Sequence, residues 1–357
     1  MSLDDFGPQE AAGMNRVFSR SDWSPQAAWF TYRLTWNTVD HQMADGNSFE
    51  FYRKGEWLTK GRSGYADIAE GIASSEFYNT LAIQNNRPPD RDESDWRIDL
   101  WRRGSQWNHV SAGDPRITAY SAQPTFTEVT GDATNLYNSA SESATDVLLA
   151  SRSIVWLKPD FIIVYDRAET KSAGRFKRWW LQLAQPAQVN GKQARSVTAG
   201  GQQLFVTALL PENASLQAVN TVEQHIIDTA AVGETMTVRL MTAAPGDPLS
   251  VRFLHVLQGA DSDTTAAATS LVQSDDGKWE GAALNGAVVL FAKVADQSSS
   301  AALAYTAPAG TNKHIITGLT PGAGYDVEIE PANTGVHITI HPGTQFTADT
   351  GGVLAFP

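Results

Sequence analysis

Cysteine is absent from the 357 residues. That excludes a disulfide scaffold, an iron–sulfur protein, a Cys-ligated zinc site and a thiol nucleophile. It leaves the compartment open, because large secreted β proteins also go without cysteine. Positive charge is scarce: 27 Lys and Arg stand against 39 Asp and Glu, a net charge of −12. A nucleic-acid binder needs a positive footprint, so that partner is not expected, and adhesion to anionic membranes is disfavoured. No run of roughly 18 apolar residues occurs, so no membrane span is expected. The first residues, MSLDDFGPQEAAGMNR, have neither a basic start nor an apolar stretch, so no signal peptide is expected in this sequence. Helical periodicity is sparse, and no internal repeat at a fixed period is seen.

Apolar residues make up 42% of the chain and charged ones 18%, which excludes a disordered chain. Trp is abundant, at 11 residues. Indole rings stack on flat sugar faces and fill sandwich cores equally well. Alternation and β-branched runs dominate. Residues 152–166 read RSIVWLKPDFIIVYD, two apolar arms around Lys158-Pro159-Asp160, a hairpin signature. Further strands are expected at residues 177–183, 203–210, 236–242 and 251–257, several separated by turn signals such as Asn190-Gly191 and Gly200-Gly201. Residues 66–75 are the one segment whose pattern allows a helix. At residues 259–270 (GADSDTTAAATS) the composition becomes small and polar, as in a linker. Short strands follow it, and the closing GGVLAFP reads as an edge strand. The chain is therefore expected to be all-β: a tail or linker over residues 1–18, a large antiparallel β-sandwich over 19–258, and a small β-sandwich over 259–357.

The densest polar and aromatic segment spans residues 19–65. Phe49 to Arg53, Gly55, and Trp57-Leu58 read as a hairpin, and a loop carrying Asp40, His41, Asp45 and Asn47 precedes it. Loops of this kind commonly carry sites on a rigid sheet. His41 is the titratable group there suited to proton transfer near neutral pH, with Asp40 and Asp45 placed to orient it; a loop-capping structural role fits it too. Arg53, Lys54, Lys60 and Arg62 form a local cationic patch for an anionic sugar within the acidic whole, or else a solvated strand face. A second candidate is WRIDLWRRGSQW, residues 96–107. Arg forks bind carboxylate or sulfate, and Trp stacks on sugars, which makes Trp101 and Arg102 candidate substrate contacts. Read as a strand, the segment puts Trp96, Ile98 and Leu100 on one face and Arg97, Asp99 and Trp101 on the other, which also fits a core side and an ion-paired surface side. His337 and His341 share a strand face about 13 Å apart, too far to hold one metal between them.

Several runs together resemble the β-sandwich part of the heparinase II/III-like polysaccharide lyases: DHQMADGNSFEFYRKGEWLTKGRSGY, SSEFYNTLAIQN, RSIVWLKPDFIIVYDR, the upstream RSDWSP, and HIITGLTPGAGYDVEI near the end. The resemblance covers the chain from about residue 17 onward. It implies a large sandwich and a small β domain that in the family follow an α/α toroid, here outside the sequence. It implies β-elimination on uronic-acid polysaccharides, with an acidic polysaccharide as partner and a periplasmic or secreted location. It also implies an active-site role for His41, with Tyr65 and Tyr78 as further candidates facing the same cleft. Many members carry a zinc site in the sandwich, and here its ligands look replaced. The family's His-x-His-x-Asp reads His41-Gln42-Met43-Ala44-Asp45, the later His-Asn-Thr reads Tyr78-Asn79-Thr80, and no carboxylate stands at residues 60–63 (KGRS), where the intervening Asp is expected. A thioether, a phenol and a cation do not make a zinc site, so no cofactor is expected. The lyase reading implies little activity without a toroid. The competing reading is a non-catalytic carbohydrate-binding or structural β module, or a scaffold docking another protein through the face a toroid would cover.

Overall fold

The computed structural model describes residues 10–13, 15–34, 42–65, 72–107, 114–221, 224–228, 230–295 and 302–357. A five-stranded sheet opens the chain in sequential order: β1 (Glu10–Gly13), β2 (Arg16–Arg20), β3 (Ala28–Arg33), β4 (Ser48–Arg53) and β5 (Glu56–Thr59). Residues 10–13 and 15–18, expected in a tail, are therefore strand or strand-linking turn. Along β3, buried Ala28, Phe30 and Tyr32 alternate with outward Trp29, Thr31 and Arg33, as the two-residue period of a strand requires.

An eight-stranded sheet forms the middle of the molecule. Its order is Gln188–Asn190, Gln193–Val197, Gln203–Leu210, Ser250–Ala260, Phe161–Thr170, Val147–Leu157, Phe126–Asp132 and Arg116–Gln123. The expected hairpin is its centre, with Leu157 paired to Phe161. Its arms are continuously apolar because both faces are covered. Ile154, Trp156, Ile162 and Val164 enter one core with Phe30 and Phe49 of the first sheet and with Trp179 and Leu240 of a four-stranded sheet. The intervening Val155, Leu157, Ile163 and Tyr165 pack against Val289, Phe291 and Ile315 of the C-terminal module.

That module pairs a five-stranded with a four-stranded sheet around its own core. Leu354–Phe356 is an edge strand of the former, as the sequence suggested. One strand pair, Ala287–Ala292 with Lys313–Ile316, is parallel; the other pairs between named strands are antiparallel. Strand Ser250–Ala260 ends beside the polar linker composition, and the next strand begins at Thr269.

Two local expectations differ. Trp96–Arg103 is an α-helix, α1, and not a strand. Asp95 caps its start by accepting from the Arg97 N–H at 2.8 Å, Arg102 and Arg103 sit in its last turn, and Gly104 closes it in the left-handed region at φ 66°. Cap, dipole and glycine stop outweigh the short apolar alternation. Of the segment 66–75, residues 66–71 lie outside the described residues; residues 72–74 are not helical, and Ser75–Phe77 is one short 3-10 turn. Among the described residues no helix is long and apolar enough to cross a membrane.

Candidate functional site

The loop that enters β4 is pinned from several sides. Gly46 accepts from and donates to the side-chain amide of Gln106, at 2.9 and 2.8 Å, and a Cβ there would meet Leu136 at 2.3 Å. Thr80 donates to the Gly46 carbonyl at 2.7 Å. Asn79 donates to Phe49 O and to Thr59 Oγ1, both at 2.8 Å, and accepts from the Gln182 N–H. Beneath them the buried Arg152 guanidinium donates to Asn47 O at 2.7 Å and to Asn79 O. A fixed loop beside a fixed turn makes a pocket with placed walls.

That pocket, about 240 Å³, is lined by Thr31, Arg33, Ser48 and Glu50 from the outer face of the first sheet, by Met43 and Asp45 from the loop, by residues 61–64, and by Tyr78. Arg33 Nη1 pairs with Asp45 Oδ2 at 2.5 Å. Burial holds the Asp45 carboxyl above the usual carboxylate range although Arg33 opposes the shift. The second Asp45 oxygen is buried with no hydrogen-bond partner among the described residues. Thr31 donates to Glu50 at 3.0 Å. The Tyr78 hydroxyl donates to Met43 Sδ at 2.7 Å and to Ile72 O at 3.3 Å. Burial raises the Tyr78 phenol well above its ordinary range, so it is a hydrogen-bond donor and not a base near neutral pH.

The expected cationic patch divides. Arg53 is buried and donates to Asp160 at 2.9 Å, to Asp261 at 2.8 Å and to Gln202. Its planar fork ties the end of β4 to the neighbouring hairpin turn and the linker, so its charge is committed there and not to a substrate pocket. Lys54 pairs with Asp261 at 2.7 Å, and Lys60 with Glu234 at 2.9 Å. Glu234 also accepts from the Ser63 N–H and stands 171 residues away in sequence. Arg62 differs: it is 5% exposed, it lines the pocket, and its guanidinium has no hydrogen bond or ion pair among the described residues. Burial pulls its pKa down, partly against Glu234.

Arg62 and Tyr78 are thus brought together, with Arg33, Thr31, Glu50 and Glu234 as neighbours that the sequence reading did not single out. Tyr65 is exposed and lies outside the lining. His41 lies outside the described residues. Trp101 and Arg102 lie on α1 and do not line the pocket. Trp101 donates to Asn85 O at 3.0 Å, and Arg102 pairs with Glu93 at 2.7 Å. The helix therefore places both away from the pocket residues. The three places where the resemblance puts zinc ligands do converge, as Met43, Arg62 within residues 60–63, and Tyr78. A thioether, a guanidinium and a buried protonated phenol do not fit zinc, which takes thiolate, imidazole or carboxylate. Among the described residues no three His, Asp or Glu side chains gather to hold a metal.

Neither a family model nor a curated protein matches the sequence. Solved structures do match the fold. The heparan sulfate lyase HepC from Pedobacter heparinus aligns with a TM-score of 0.60 at 15% identity, over 80% of this chain and 42% of that one. A structure of heparinase III aligns with a TM-score of 0.57 at 11% identity, over 78% of this chain and 41% of that one. Another heparinase III structure, with methylated lysines, covers 85% of this chain at a TM-score of 0.57 and 11% identity, over 41% of its own length. The fold is that of a heparinase-like β portion, and the chain spans about two-fifths of the length of the structures it matches.

Proposed function

We propose that this chain is the β-sandwich portion of a polysaccharide lyase that acts on uronic-acid polysaccharides by β-elimination. The observation that carries the reading is the convergence of Met43, Arg62 and Tyr78 in one pocket, on a fold shared with heparinases. β-Elimination needs the uronate carboxylate neutralised, a base for the C5 proton and an acid for the leaving oxygen. Arg62 supplies positive charge in the pocket wall. Tyr78, held protonated, stays a donor, and His41 is the residue suited to take a proton. With only part of that constellation on the chain, turnover requires an α/α toroid from the same enzyme or a partner. The polysaccharide partner agrees with a periplasmic or secreted location. Zinc has no part in the proposal, and elemental analysis finding one zinc per chain, lost on Tyr78→Ala, would contradict it.

The test is ultraviolet absorbance of the unsaturated uronate product on alginate, heparan sulfate, hyaluronan and pectin. The chain alone is expected to give only trace product, and a toroid supplied in trans to raise it in a His41-dependent way. No product under either condition would overturn the lyase reading. A second reading, a non-catalytic carbohydrate-binding module, is favoured by the replaced donor chemistry of Met43, Arg62 and Tyr78.

A further inference from the structure

The outer face of the first sheet carries two rows of side chains that belong to one surface. In the first, the register aligns Arg20 with Trp29, Trp29 with Tyr52, and Tyr52 with Trp57. Trp29 and Tyr52 rings lie 5.3 Å apart and Tyr52 and Trp57 rings 5.1 Å apart. Arg20 sits 4.8 Å from the Trp29 ring centroid and 4.3 Å from that of Trp23. Trp29 is 41% exposed, although a Trp of a lone sandwich would ordinarily be covered. In the second row, Thr31 aligns with Glu50, and both line the Arg62 pocket. Rows two residues apart on one face are separated by about 7 Å, so the aromatic row borders the pocket.

We propose that this outer face is a binding strip for an acidic oligosaccharide: the Arg62 guanidinium takes a carboxylate or sulfate of one sugar, and the exposed Trp29 ring stacks against the next, with Tyr52 and Trp57, tilted 44° and edge-on at 71° along the row, as its flanking apolar wall. The choice of an acidic glycan rests on the reading in the preceding subsection; the strip itself rests on the geometry. A guanidinium buried without a partner is costly unless a ligand supplies the anion, and its planar fork suits carboxylate and sulfate. The surrounding charges select the ligand further. Glu234 is held by Lys60 and by the backbone N–H groups of Ser63 and Met236. Asp45 is held by Arg33. Glu50 is half-buried, and its carboxylate accepts from hydroxyl groups but repels a bare anion. The site therefore asks for a molecule with one anionic group and several hydroxyls, presented on an apolar ring face. The pocket's 240 Å³ takes one substituted sugar and leaves the neighbouring one on the aromatic row.

The test is calorimetric titration of the whole chain, in a chelator, with a heparan sulfate tetrasaccharide, an unsulfated oligouronate and a neutral cello-oligosaccharide. At least one acidic ligand is expected to bind about tenfold or more tightly than the neutral one. Heparan sulfate alone binding would make sulfate the anchor, and the oligouronate alone would make it the carboxylate. Arg62→Met is expected to erase the preference for acidic over neutral ligand. Trp29→Ala, at an exposed position that does not threaten folding, is expected to weaken acidic binding by about tenfold. Equal binding of acidic and neutral ligands, binding of none, unchanged affinity in Arg62→Met, or inorganic sulfate binding as tightly as the oligosaccharides would each overturn the strip. A chain that binds acidic glycans but never yields product with a toroid defeats the lyase reading and leaves the strip standing.

Discussion

Arg152 and Arg62 are both buried in the large sandwich, at 0% and 5% exposure, and their surroundings differ in kind. Arg152 grips Asp166 with two bonds, at 2.6 and 3.0 Å, and gives both Nη1 donors to the carbonyls of Asn47 and Asn79. Each of those carbonyls belongs to a segment that shapes the pocket. Arg62 stands in the pocket wall with no such partner among the described residues. The core arginine is a closed polar knot, and the pocket arginine is open. A buried guanidinium fully bonded to the protein is structural, whereas one bonded to nothing is poised for something that arrives.

The largest effect is expected from opening the closed knot. Arg152→Leu strands Asp166 in a core whose burial already pushes that carboxyl up. The expected loss is about 3–5 kcal/mol in denaturant unfolding, and Arg152→Leu with Asp166→Leu should recover much of it. A double variant no better than the single one would show that the backbone bonds to Asn47 and Asn79, and not the ion pair, hold the region.

Glu128 offers a third buried ionisable group to compare. It is 1% exposed, it accepts from Thr130 at 2.7 Å, and its other oxygen has no partner among the described residues. Burial pushes its carboxyl up to about 8 from an ordinary 4.5. The folded state therefore holds a proton there that the unfolded state has released. Stability should fall as pH rises through that window, by on the order of 5 kcal/mol at most. Glu128→Gln should flatten the pH profile and be the more stable protein at pH 8. A profile unchanged by the substitution would contradict this.

A smaller effect tests the pocket wall. A Cβ on Gly61 would lie 2.6 Å from the Tyr78 ring. Gly61→Ala should cost about 1–3 kcal/mol through overpacking and shift the Tyr78 ring, visible in its NMR resonances. A neutral result would mean that Tyr78 is free to give way and is not a fixed wall.

Most of the strands were legible in the sequence because alternation and turn residues are local signals. The covering of the middle sheet on both faces was written in residues 152–166 as continuous apolar arms, but such arms do not name what covers them. Trp96–Arg103 alternates like a strand over a few residues, but Asp95 and Gly104, the two residues that punctuate a helix, decide its conformation. Within the site, Met43, Tyr78 and residues 60–63 were legible through the resemblance. Arg53 and Arg62 look alike in one cationic run, and only the fold separates them, because Asp160 and Asp261 reach Arg53 from a distant turn and linker while Glu234 takes Lys60 and leaves Arg62 unpaired among the described residues. The aromatic row was hidden for the same reason: Trp29, Tyr52 and Trp57 become neighbours through strand register.

The most direct measurement is a thermal melt of the wild-type chain and of Arg62→Met, each with and without a saturating acidic oligosaccharide. Without ligand, Arg62→Met should match or exceed the wild type, because it removes an unpaired buried charge. With ligand, only the wild type should rise, so the order of the two melting temperatures reverses or their gap closes. A variant that loses several kcal/mol without ligand, or that rises with ligand as much as the wild type, would make Arg62 a structural residue and contradict the open site.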